Sequence, residues 1–194
     1  MKRLGSALLL SLLSIPVFAG PHAYFSSDEN VERQLVEHID QSRYTIEAAL
    51  FEMTSPELIA ALRRAAARGV QVRLVLQRST KTDPLAGASG VDVETRRLGG
   101  RTPHGVMHHK FALFDHETVV TGSYNWTPGA RHANYENALF EDDADVVKAY
   151  IRQFELLWAR SRLASFSSED NTGARTRKSK SHRSGKSRGI WWRL

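Results

Sequence analysis

Chemically capable side chains concentrate between residues 104 and 137 of this 194-residue chain. His108 and Lys110 stand two apart in segment 106–114, which is otherwise mostly apolar. If that segment is a strand, alternation puts both on one face and sends His109 to the other with Phe111 and Leu113. Asp115 closes the segment, and Gly122, Ser123 and Asn125 return beside it on the next one. Imidazole titrates near neutrality and can serve as nucleophile or acid. Lys110 supplies a fixed positive charge, Ser123 and Asn125 supply hydroxyl and amide donors, and Gly122 permits close backbone approach. Hydrolysing a phosphodiester needs such a set: a nucleophile, a proton for the leaving oxygen, and donors around the phosphoryl oxygens. Glu136, a little further on, offers a carboxylate able to hold the Nδ1–H of a catalytic imidazole and fix its tautomer.

The same residues admit other uses. His104, His108, His109, His116 and His132 cluster in sequence and could suggest zinc. No HExxH motif or cysteine accompanies them, and strand alternation separates His108 from His109, so a metal site is disfavoured. Arg96, Arg97 and Arg101 precede the His–Lys segment closely, and either guide a phosphate or form an ordinary solvated face. Trp126, next to Asn125, is read as core rather than groove lining.

Written out, the pattern is His-x-Lys, four residues, Asp, six residues, Gly-Ser-x-Asn. Six specified residues match by chance at one start with a likelihood of about 10⁻⁸ on uniform residue use. The pattern resembles the HKD motif of the phospholipase D superfamily, complete and ungapped. Similarity to one branch, the small exported bacterial Nuc-type endonucleases with a single HKD motif, runs from about Tyr24 to Trp158. It includes the Thr54-Ser55-Pro56 helix start, "RGVQVRLVLQ", "TGSYNW" and "NYENAL". The resemblance implies an α-β-α sandwich with a mixed, largely parallel sheet. It implies catalytic roles for His108, Lys110, Asp115 and Glu136, with phosphate held by Lys110, Gly122, Ser123 and Asn125. Asp115 would act as structural or electrostatic support, since a carboxylate is a poor phosphate ligand. No metal or other cofactor is expected. His108 would attack phosphorus to form a phosphohistidine, and a second motif's histidine would protonate the leaving group. This sequence has one motif and no internal repeat, so that histidine would come from a second copy in a homodimer. The implied substrate is nucleic acid, DNA or RNA. The alternatives are an anionic phospholipid such as cardiolipin, or a nucleic-acid-binding module without turnover.

The surrounding pattern supplies elements to position such a site. A short strand at 23–25 precedes a helix expected to be capped by Ser27, with Val31, Leu35, Val36 and Ile39 at helical spacing. Segment 44–51 reads as a buried strand. Ser55-Pro56-Glu57 starts a helix that carries Leu58, Ile59 and Leu62 and stops at Gly69. Strands follow at 70–76 and around 91–94, and loops rich in Ser, Thr, Gly and Pro occupy 78–90 and 98–105. This rhythm indicates an α/β chain with parallel strands. Segments 106–114 and 117–121 form a strand pair turning at Asp115-His116, and 135–140 is a further strand. Segment 143–160 is an amphipathic helix with Val146, Val147, Tyr150, Ile151, Phe154, Leu157 and Trp158 on its buried side.

Three regions are expected: a signal peptide at 1–19, a catalytic domain at 20–163, and a basic, disordered tail at 164–194. Lys2 and Arg3 precede an apolar run ending at Val17-Phe18-Ala19, which points to cleavage after Ala19 and export to the periplasm or medium. With no cysteine, neither a disulfide nor a cysteine-bound zinc can form. The net charge of +6 belongs to the ends. Setting aside the eight basic residues after Asn171, Lys2 and Arg3 leaves 17 Lys and Arg against 21 Asp and Glu. The body is therefore acidic, and overall basicity is no argument for nucleic acid. The tail is either a solubilising extension or a salt-sensitive phosphate anchor. Its end, Ile190-Trp191-Trp192-Arg193-Leu194, suits base stacking or contact with an anionic membrane.

Overall fold

The computed structural model describes residues 20–27, 30–79, 84–85 and 93–169. The expected signal peptide and the tail beyond Glu169 lie outside the described residues. Seven strands and four helices alternate along the chain. They are β1 (His22–Phe25), α1 (Val31–Gln41), β2 (Thr45–Leu50), α2 (Pro56–Ala67), β3 (Gln71–Gln77) and β4 (Val93–Leu98). Then follow β5 (Lys110–Phe114), β6 (Thr118–Gly122), α3 (Pro128–His132), β7 (Asn137–Glu141) and α4 (Ala144–Glu169).

All seven strands form one mixed sheet, in the order β1-β7-β6-β5-β2-β3-β4. The expected α/β class and mixed sheet are present, but parallel pairing is confined to β2–β3 and β3–β4. The other four ladders are antiparallel, which corrects the expectation of a largely parallel sheet. The reason is loop length. A helical crossover is needed to return a strand parallel, whereas β5 and β6 are joined by a turn of only three residues, 115–117, that permits only antiparallel pairing.

Alternating side chains sort the sheet into two packed faces. Ile46, Ala48, Leu50, Val72, Leu74, Ala112 and Phe114 pack against Leu35 and Ile39 of α1 and Leu58 and Leu62 of α2. Ala49, Val75, Phe111, Leu113 and Val119 turn the other way, toward Val147, Phe154, Leu157 and Trp158 of α4. Trp126 is 2% exposed and belongs to the first core, as expected. Val146 does not join the α4 core; it is 37% exposed.

Local signals set most element ends. Ser55 accepts a hydrogen bond from the Leu58 N–H, with Pro56 opening α2. Gly69, at φ +96°, takes the left-handed conformation that ends this helix. Asn30 rather than Ser27 caps α1, through a 3.0 Å bond from Arg33 N–H to its side chain. The expected strand at 91–94 is displaced to β4, with residues 91–92 outside the described residues. The helix expected at 143–160 continues to Glu169.

Two buried carboxylates were not foreseen as structural elements. Glu47, 1% exposed in β2, pairs with Arg73 of β3, which also reaches Glu155 of α4 at 2.5 Å. Glu32, 2% exposed in α1, pairs with Arg131 of α3 and accepts from the Ser55 hydroxyl. A buried charge is tolerated only when matched in this way.

Candidate active site

The site lies where the carboxyl ends of β2 and β6 meet the amino ends of β5 and β7. Lys110 opens β5 opposite Leu50, and Gly122 ends β6 opposite Ala138. The strand expected to begin at residue 106 begins instead at Lys110, so His108 lies just outside the ladder. Val106 makes only an isolated bridge with Gly99. The chain before β5 is still held, because Phe51 N–H donates to His109 C=O at 2.8 Å.

Alternation nevertheless holds through residues 108–110. The Lys110 ammonium lies 3.4 Å from Nδ1 and 3.3 Å from Nε2 of His108, and donates to the His108 carbonyl at 3.1 Å. His109 points toward α4, where its Nε2 meets Gln153 at 3.3 Å and its ring packs edge-on against Phe111. Burial, Lys110 and His108 together hold the His109 imidazole below its ordinary pKa. Burial also lowers the pKa of Lys110, while the carboxylates of Glu136 and Glu52 oppose that shift.

Across the sheet, the Ser123 hydroxyl donates to Glu136 Oε2 at 2.5 Å, and Asn134 Nδ2 donates to Oε1 at 3.0 Å. Both carboxylate oxygens are thereby engaged within the chain. The expected bond from Glu136 to the His108 ring is not formed here; Glu136 acts instead on Ser123 and on the charge of Lys110. Gly122 is required by chain approach: a Cβ at this position would lie 2.2 Å from the Asn137 carbonyl oxygen. The close neighbour is therefore β7. Asn125 keeps its Oδ1 buried without a hydrogen-bond partner among the described residues.

Asp115 lies apart from this set. It stands five positions after Lys110, about 17 Å along the direction of β5. Its carboxylate accepts the backbone N–H groups of Arg43, Tyr44 and Thr45 at 2.8, 2.8 and 2.9 Å. Asp115 and His116 both take left-handed backbone angles, φ +52° and +57°, as the central pair of the turn closed by Glu117 N–H donating to Phe114 C=O at 2.9 Å. Such a position suits structural support, and Asp115 touches none of the candidate reacting groups.

Several participants were missed. Phe51, the residue after β2, packs its ring 4.6 Å from that of His108 and 5.0 Å from the Lys110 ammonium. Ser26 fixes the Glu136 segment: its hydroxyl donates to Asn134 C=O and accepts from Glu136 N–H, both at 2.8 Å. No sequence signal marked Ser26. By contrast, helix α3 opens with Thr127-Pro128, the same cap signature as Ser55-Pro56, and was legible. Arg96 is structural: its guanidinium stacks 3.6 Å from the Trp158 ring centroid and pairs with Glu94. Among the described residues, no group of three or more His, Cys, Asp or Glu side chains could hold a metal ion.

His108 and Lys110 are in contact, and Glu136, whose charge acts on Lys110, is held by the Ser123 hydroxyl. The family model for the cardiolipin synthase, PLD-like domain matches residues 35–158. The chain belongs to the phospholipase D-like family. It is 38% identical over 136 residues to a mitochondrial cardiolipin hydrolase of Xenopus laevis, covering 68% of this chain and 62% of that protein. For the Homo sapiens mitochondrial cardiolipin hydrolase the identity is 34% over 134 residues, covering 67% and 52%. The chain thus spans less than two thirds of these relatives. In fold it is similar to NucT from Helicobacter pylori, with TM-score 0.65 and 20% identity, covering 72% of this chain and 95% of that one. Nuc from Salmonella typhimurium, a phospholipase D family member, gives TM-score 0.63 and 23% identity, covering 72% and 93%. The single-motif member of this superfamily expected from the sequence is what these likenesses describe.

Proposed function

We propose that this protein is a metal-independent phosphodiesterase that hydrolyses nucleic-acid strands through a phosphohistidine, at a site completed by a second copy of the chain. The observation that carries the reading is the exposed His108 imidazole beside the Lys110 ammonium, opposite the Ser123–Glu136 pair. A ring nitrogen of His108 attacks phosphorus, a P–N bond forms, and the P–O bond to the leaving strand breaks. Lys110, Ser123 and the Asn125 amide neutralise charge on the phosphoryl oxygens. A second imidazole gives its proton to the leaving alkoxide, then takes one from water as that water attacks phosphorus and releases His108. His109 does not fill that place, because it faces α4. The His108 of a second copy would, across a two-fold axis. Export and DNA-backbone or membrane contact by the basic tail remain part of this proposal.

The likeness to cardiolipin hydrolases supports a second reading, hydrolysis of an anionic phospholipid by the same steps. One experiment separates the two. The full chain and His108→Ala are incubated in EDTA with plasmid DNA, RNA, and phosphatidylcholine or cardiolipin vesicles. The expected result is EDTA-resistant cleavage of nucleic acid that His108→Ala abolishes. Lipid turnover without nucleic-acid cleavage would transfer the assignment to phospholipid. Sedimentation of a fully active monomer would remove the second copy.

A further inference from the structure

A groove of about 510 Å³ leads away from His108 between the β4–β5 connection and α4. Near its start, His109 is held by Gln153; further along α4 come Leu156 and then Arg160. Seven helical residues from Gln153 to Arg160 span about 10 Å. Arg101, from the β4–β5 connection, also lines the groove. Its middle is aliphatic, with Val106 49% and Leu156 42% exposed. The lining thus combines His108, a short apolar stretch and two cations, one of which, Arg160, stands at the far end of the α4 wall from Gln153.

The cations are available. Arg64, Arg73, Arg96 and Arg131 are each paired with an acidic side chain, whereas Arg101 and Arg160 have no such partner among the described residues. The groove wall is also set in advance. Gly100 N–H donates to Gly105 C=O at 3.0 Å, and a Cβ on Gly100 would lie 2.2 Å from the Gly105 carbonyl carbon. Met107 N–H is fixed by the buried Gln77 side chain at 3.1 Å.

Resting on the nucleic-acid reading above, we propose that this groove is a second phosphate subsite. It holds the phosphate that neighbours the scissile one in a nucleic-acid strand, on Arg101 and Arg160. The intervening sugar and base lie against Val106 and Leu156. A polymer with regularly repeated charge suits a groove whose lining carries two arginines without acidic partners among the described residues as well as His108.

The test compares a dinucleotide, with one phosphodiester, and a trinucleotide, with two, at the full chain and at an Arg101→Ala/Arg160→Ala double variant. The wild type should show a KM for the trinucleotide about tenfold or more below that for the dinucleotide, as a charge-assisted hydrogen bond to the second phosphate implies. It should also prefer one of the two diesters. The double variant should lose that advantage, and the salt dependence of oligonucleotide binding should fall by about 0.7 for each phosphate no longer neutralised. Arg160→Lys should restore part of it. An advantage that persists in the double variant, or is absent from the wild type, overturns the subsite while leaving the nuclease reading intact. Cleavage of neither oligonucleotide, with hydrolysis of cardiolipin vesicles, overturns both.

Discussion

The Lys110 ammonium sits almost equidistant from the two ring nitrogens of His108, at 3.4 and 3.3 Å, and so favours neither one. It acts as a charge placed beside the proposed nucleophile. Burial lowers its pKa from the ordinary lysine value, against the opposing pull of Glu136 and Glu52. Between the lowered pKa and the unfolded value of 10.5 the unfolded chain binds more protons, so stability rises with pH across that window. Activity should move the opposite way, falling as the ammonium loses its proton below the ordinary lysine range. Lys110→Met should lower kcat by about 10²–10³-fold and leave the Tm at pH 7 unchanged or higher. Steady-state kinetics and thermal melting check both halves. A Tm several degrees lower would contradict this account.

Asp115 makes the reverse prediction. Its three backbone acceptor bonds tie the α1–β2 connection to the β5–β6 turn, far from His108. Asp115→Ala should cost about 2–4 kcal/mol of stability while kcat per folded molecule is retained. Asp115→Asn should cost less, because asparagine also tolerates the left-handed backbone. Urea midpoints alongside active-site-normalised rates decide it.

Gly122→Ala places a methyl group against the Asn137 backbone and must spread β6 from β7. A loss of roughly 1–3 kcal/mol is expected. Because Ser123 and Glu136 flank that junction, kcat should fall as well. Equal kcat at reduced stability would show that the pair tolerates the shift.

His109→Gln should leave the acid limb of the pH–rate profile where it is, since this imidazole faces Gln153 and α4. His108→Ala should abolish turnover. If His109→Gln moved the acid limb instead, the roles of the paired histidines would be reversed.

The motif was legible because strand alternation converts spacing into direction: His108, Lys110 and His109 fall on the expected sides without tertiary information. Ser55-Pro56 and Gly69 were legible for a similar reason, each acting within a single turn of helix. The start of β5 was not, because residues 106–109 are apolar enough for a strand but have no continuous ladder partner. Nor were the polar interactions that cross long stretches of chain. Ser26 to Glu136, Glu32 to Arg131 and Glu47 to Arg73 link residues far apart in sequence, and their partners become known only from the strand order. The balance of parallel and antiparallel strands was missed likewise, since it depends on where β5 enters the sheet.

The three-residue turn at 115–117 has a consequence at the opposite end of its hairpin. It is the gauge that decides which residue of β6 arrives across from Lys110. An inserted or deleted residue there would slide one strand past the other and turn its side chains over. Ser123 and Asn125 would then be aimed away from His108, although every catalytic residue was still present. The spacing between Asp115 and Gly122 is therefore a length standard for the proposed site, kept by a turn at the far end of β5 from Lys110.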